Sequence, residues 1–109
     1  MIKIRIKGSP EHVEGFLIWG HARAGAYGED IVCAGVSAIA TSALMGLAKR
    51  MPEGVCYRIL PTGLMYCRLS AGLEENEDWV AQIILSTMVQ GLEAIKDKHG
   101  GFLRIDYRA

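Results

Sequence analysis

Net charge is the first thing this chain lacks: twelve Lys and Arg balance twelve Asp and Glu, and the formal sum is zero at neutral pH. Proteins that hold nucleic acid by its phosphates usually carry a basic excess, because displaced counterions drive that binding. Direct nucleic-acid binding is therefore not expected, although a local patch survives any neutral sum. Cysteine is scarce and odd in number, with three residues, which argues against a disulfide framework and for a reducing compartment. No apolar run is read as reaching the roughly 18 residues that cross a bilayer. The start of the chain, Met1 to Lys7, alternates apolar and basic residues and has no separate hydrophobic stretch or cleavage site, unlike a signal peptide. A cytoplasmic protein with no membrane partner is the expectation. With 50% apolar and 22% charged residues the chain can bury a core, and its length suits one domain over residues 1–109. No repeat, low-complexity segment or interdomain linker interrupts it.

What is present follows two hydrophobic periods. Ile2, Ile4 and Ile6 alternate with Lys3, Arg5 and Lys7, the pattern of a half-buried strand. Gly8-Ser9-Pro10 supplies a turn, and Phe16 to Trp19 reads as a second strand. Ala22, Arg23, Ala24, Gly25, Ala26, Tyr27 and Gly28 are small or polar, without apolar period, and read as a loop that two glycines let move. From Asp30 to about Lys49 the pattern is helical, with Asp30 as the capping residue. Its apolar positions cover most of the circumference, so the helix should be buried on several sides or meet a second subunit. Val55 to Leu60 and Leu64 to Ala71 form a hairpin around Pro61-Thr62-Gly63. A second helix runs from about Asn76 to Lys98, and Leu103, Ile105 and Tyr107 alternate in a last strand. The expected fold is α+β, order β-β-α-β-β-α-β, a mainly antiparallel sheet with two long helices against it.

The chemistry concentrates between Gly20 and Ser37. His21 stands at a predicted strand end and Cys33 in the predicted first helical turn, so a fold-back brings the two side chains within reach. A helix N-terminus favours a thiolate through its unpaired amides, and an imidazolium favours it further. His21 can then protonate a leaving amine, and first-turn amides, that of Cys33 among them, can face an oxyanion. Ser37 lies one turn beyond Cys33 on the same helix face, and Asp30 lies one turn before it. Set against this, a lone thiol in an apolar helix is more often a small core residue, Asp30 a plain cap, and Ser37 a donor to a backbone carbonyl.

Gly20-His21-Ala22, Gly28, Asp30-Ile31-Val32-Cys33-Ala34 and Val36-Ser37 resemble the signature of the ribosomal-processing cysteine protease family, Prp. The resemblance extends over nearly the whole chain in length and element order. It implies a catalytic pair, His21 and Cys33, with Asp30, Ser37 and Gly20 in support and residues Ala22 to Gly28 as a mobile cover. It further implies removal of a short N-terminal extension from large-subunit ribosomal protein twenty-seven, with cutting after aromatic residues, in a bacterial homodimer that needs no cofactor.

The remaining candidates read as structural. Cys56 and Cys67 sit on the two arms of the predicted hairpin, too few for a zinc site, and read as buried inert thiols. Trp19 and Trp79 read as core residues. Two rivals stay open: a non-enzymatic ribosome-associated binding module, and a thiol redox sensor at Cys33 that would lack a nearby resolving cysteine.

Overall fold

The computed structural model describes residues 1–20 and 27–109, with residues 27–30 described by backbone only. The elements are β1 (Ile2–Ser9), β2 (His12–Trp19), α1 (Tyr27–Arg50), β3 (Val55–Ile59), β4 (Met65–Leu69), α2 (Glu75–His99) and β5 (Leu103–Arg108). The expected order is met, and the five strands form one sheet in the order β3-β4-β2-β1-β5. Three pairings are antiparallel and one, β1 with β5, is parallel. The parallel pair follows from α2, which carries the chain back to the end of the sheet where β1 starts.

The alternating strands divide their residues cleanly between two faces. Ile2, Ile4 and Ile6 on β1, Phe16 and Ile18 on β2, Met65 and Cys67 on β4, and Leu103 and Ile105 on β5 are all buried beneath the helices. Both helices lie on this face: α1 meets β3, while α2 meets β2 and β5. Gln82 of α2 fastens the layers at the far end, accepting from the Val13 amide and donating to the Val13 carbonyl, each at 2.8 Å. Acidic residues open α2 and basic residues close it, matching its dipole. The Glu77 carboxylate accepts from the Glu74 amide at 3.2 Å, half of a capping box.

Helix α1 departs from expectation in three ways. It begins at Tyr27, not Asp30, so Tyr27 and Gly28 are helical residues and Asp30 lies inside the helix where it cannot be the cap. The apolar stripe starts only at Ile31, which is why periodicity placed the boundary too late; Glu29 and Asp30 suit a first turn on charge alone. The helix is also buried on two sides, not nearly all round. Val32, Val36, Ala40, Leu44 and Leu47 face the sheet, but Ile31 is 52% exposed and Met45 45%. Finally, Ile31–Arg50 has mean hydropathy 2.0 and is long enough to cross a membrane by length and composition, against the reading that no run qualifies. Interspersed Ser, Thr and Gly disguise that stretch, whose sheet-facing side is part of the domain core.

Other expectations need correction. Trp79 is 68% exposed and so is no core residue. Cys56 is exposed while Cys67 is buried, because the register pairs Cys56 with Arg68 and Cys67 with Tyr57, putting the two thiols on opposite faces.

Two residues two positions apart on α2 test the burial map. Leu85 is fully buried and Ile83 is 47% exposed. Leu85→Ala should lower unfolding free energy by about 2 to 5 kcal/mol, and Ile83→Ala by no more than about 0.5 kcal/mol, in urea titrations.

Candidate active site

The strand register fixes which end of the molecule holds Cys33. Ile18 pairs with Met65, and Met65 with Ile59, so these three form one row across the sheet. That row lies where β2 finishes and the chain passes over to α1. Helix α1 starts at this end and finishes beside Val55 at the other, so Cys33, six residues in from Tyr27, lies in its upper third.

Rotation about the helix sets which way Cys33 looks. A Cβ built on Gly35 would lie 3.3 Å from Cδ1 of Ile95, and one on Gly46 would lie 3.7 Å from Cδ1 of Ile84. Those positions mark the side of α1 that faces α2. At about 100° per residue, Cys33 stands on the opposite flank, turned toward the β3 edge of the sheet. It is partly buried and packs against the core. Ser37, one turn on, is exposed on the same flank. Across from them, on the helix-covered face of β3, Tyr57 is 40% exposed and Ile59 48%. Helix α1 meets β3 only near Val55 and leaves the Tyr57–Ile59 end of this edge strand open, an apolar shelf on the side of the sheet where Cys33 stands. The shelf is absent from any periodicity argument, since β3 by itself only alternates.

Gly20 ends β2 with φ +92°, and a Cβ there would fall 2.4 Å from the Met1 carbonyl oxygen. Only glycine adopts this corner without strain; an L-residue at such φ costs about 1 to 2 kcal/mol before the collision is counted. Gly20 thus controls the direction in which the chain leaves the sheet. His21, Ala22, Arg23, Ala24, Gly25 and Ala26 lie outside the described residues, and the side chains of Tyr27, Gly28 and Asp30 do as well. A hinge at Gly28 is not supported, because its backbone is helical. Nor is Cys33 in the first turn. A helix leaves only its first four amides unpaired, so the Cys33 N–H is taken up by the helical ladder and is not the expected oxyanion donor.

A hollow of about 990 Å³ is at the opposite end of the sheet, lined by His12, Cys56, Ser70 and Asp78 among others. It contains none of the Cys33 flank. Among the described residues no group of three or more His, Cys, Asp or Glu is placed to hold a metal ion.

Comparison with known proteins gives this half-covered thiol its setting. Residues 1–104 match the family described as cysteine protease Prp, and the chain belongs to that family of cysteine proteases. A ribosomal processing cysteine protease Prp from Staphylococcus aureus strain Mu50 is 36% identical over 92 residues, covering 82% of this chain and 81% of the relative. The S. aureus protease crystallised with a substrate peptide has a TM-score of 0.82 at 28% identity, covering 99% of this chain and 100% of that one. The same protease with a covalently linked product peptide gives 0.80 at 30% identity over the same shares. A Streptococcus mutans protein shares the fold with a TM-score of 0.82 at 24% identity, covering 99% of this chain and 94% of that one. Family membership sets aside the non-enzymatic reading.

The three thiols are separable by burial. Cys67, 1% exposed, is pushed up from an ordinary value of 9.0 to about 12, by burial first and then by the neighbouring Cys56. Its folded value exceeds its unfolded one, so its contribution to stability is whole below pH 9 and is lost as pH rises from 9 toward 12. In the native protein at pH 8, iodoacetamide should alkylate Cys56 and spare Cys67, read by peptide mass mapping. Equal labelling of the two would contradict the burial assignment.

Proposed function

We propose that this protease removes the N-terminal extension of large-subunit ribosomal protein twenty-seven through a dyad of Cys33 and His21, cutting after aromatic residues. What supports the reading is the half-covered thiol on the α1 flank, opposite the exposed apolar shelf of β3, in a chain of the Prp family. The relatives named as ribosomal processing proteases, and the covalent product peptide held by one of them, agree with an acyl-enzyme route.

In this reading the Cys33 thiolate attacks the scissile carbonyl carbon and forms a carbon–sulfur bond. The C–N bond breaks as His21 gives its proton to the departing amine. A water then attacks the thioester, passes a proton to His21, and the acid product leaves as sulfur regains its thiolate. Gly20 sets the direction of the chain toward His21, and Ser37 and Asp30 lie one turn either way of Cys33 along α1. β3 is an edge strand whose free backbone groups suit pairing with an extended segment. Tyr57 and Ile59 then receive apolar side chains of that segment. The three free thiols suit a reducing cytoplasm.

A homodimer belongs to the same reading. Ile31 and Met45, with Ala34 and Ala38 between them, leave an apolar stripe on the outer side of α1 that a second copy would cover. Light scattering should give twice the 11.9 kDa chain mass, and Met45→Glu should return the monomer; a monomeric parent protein would end this part of the proposal.

The cleavage itself is tested with a ribosomal protein bearing an aromatic-rich N-terminal extension, its products read by mass spectrometry. One new N-terminus is expected, lost in Cys33→Ala and in His21→Ala. Ile59→Asp should raise KM by about tenfold or more, the loss of one buried apolar contact of 1.5 to 3 kcal/mol, with kcat less affected. Undiminished cutting by Cys33→Ala would reject the dyad, and an unchanged KM in Ile59→Asp would reject the shelf.

A further inference from the structure

The zero net charge conceals a sharp segregation. The helix-free face of the sheet carries Lys3, Arg5 and Lys7 on β1, Arg104 and Arg108 on β5, Arg68 on β4 and Arg58 on β3. These are seven of the twelve basic residues in the chain. In the same register rows the acids number one, Asp106, and Arg104 engages it at 3.7 Å. Glu14, at the bulge, borders the large hollow at the far end.

Within this face lies a groove of about 330 Å³. Arg5, Lys7, Arg68 and Arg108 line it with Leu17 and Tyr66, and no acidic side chain does. Its floor is bare because Gly15 crosses it: a Cβ there would meet the Cys67 carbonyl oxygen at 2.4 Å. The row from Arg108 through Lys7 and Gly15 to Arg68 crosses three strand spacings, about 14 Å. That exceeds one phosphate and suits several in succession. Arg5 stacks over Trp19 at 5.3 Å, yet its Nε is shut off from solvent and hydrogen-bonded to nothing among the described residues. A buried donor of this kind calls for an acceptor. Tyr66, half-buried between Arg58 and Leu17 in the register, offers a flat ring beside the cations.

We infer that this open sheet face binds single-stranded RNA, its phosphates on Arg5, Lys7, Arg68 and Arg108 and a base stacked on Tyr66. Cations interleaved with an aromatic on a flat sheet are the arrangement by which sheet proteins hold single strands. The binding chemistry comes from the face alone. The choice of RNA over DNA rests on the reading of a ribosomal substrate. Such a face would hold the protease on the particle that carries its substrate, a proposal that runs against the expectation of no direct nucleic-acid contact.

Fluorescence anisotropy of a labelled single-stranded RNA with the full chain tests it, without peptide substrate, so a failed cleavage reading leaves the outcome untouched. Affinity should fall with salt at a log–log slope of about −3, from roughly 0.7 per phosphate contact over four contacts. Arg68→Glu and Arg108→Glu should each weaken binding at least tenfold while peptide cleavage and thermal midpoint hold. Tyr66→Ala should weaken it about fivefold or more, and Lys96→Glu on α2 should leave it unchanged. No binding at 50 mM salt, or equal binding by Arg68→Glu and Arg108→Glu, overturns the inference. Ultraviolet cross-linking in cells expressing the chain should give an adduct removed by ribonuclease and resistant to deoxyribonuclease. The reverse sensitivity overturns it, as does equally tight binding to anionic phospholipid vesicles or polyglutamate.

Discussion

The seam between the two helices depends on glycines that let a neighbouring side chain come close. A Cβ on Gly35 would lie 3.3 Å from Ile95, and a Cβ on Gly91 3.1 Å from Ile39. With α2 held over β2 and β5, that spacing decides how far α1 reaches toward β3. The helices together cover four strands and only the Val55 end of the fifth. The uncovered strip of β3 and the outward flank of α1 then become the two sides of one feature, with Cys33 and Ser37 on one and Tyr57 and Ile59 on the other. The site is thus a by-product of incomplete cover, and a bulkier residue at either glycine would move its two sides relative to each other.

The same one-sided packing frees the opposite face of the sheet. With both helices on one side, the alternation that buries Ile2, Ile4 and Ile6 turns Lys3, Arg5 and Lys7 to the helix-free face, with Lys3 and Lys7 exposed and Arg5 half-buried. Cross-strand register then gathers cations that are distant in sequence, Arg68 and Arg108 among them, into a single groove. The edge proposed to carry the catalytic thiol and the basic face therefore occupy separate surfaces, so each can be altered without the other.

Much of this was readable in the residues. Period-two and period-3.6 patterns located all seven elements, and the glycine and proline punctuation of the β3–β4 hairpin marked its turn correctly. The match of His21 and Cys33 to a family signature carried the function, which neither residue's spacing could do alone. Three features escaped. The start of α1 precedes its first apolar residue, so periodicity set it at Asp30 and mistook a second-turn cysteine for a first-turn one. Exposure of Trp79 and Cys56 depends on which face the tertiary packing covers, and no local pattern specifies that. The basic groove is a product of register: summed charge averages it away, and only strand pairing brings Lys7 to Arg68 across Gly15.

The proposal that Cys33 is the nucleophile of a proteolytic reaction underlies the reading of the α1 flank as an active site. Its most direct test is to quench the protein in acid during turnover of an aromatic-rich extension peptide and to map the covalent adduct by mass spectrometry. A thioester is expected on the peptide that carries Cys33, decaying as free product accumulates. An adduct on Cys56, or cleavage that proceeds at full rate with none on any cysteine, would contradict it.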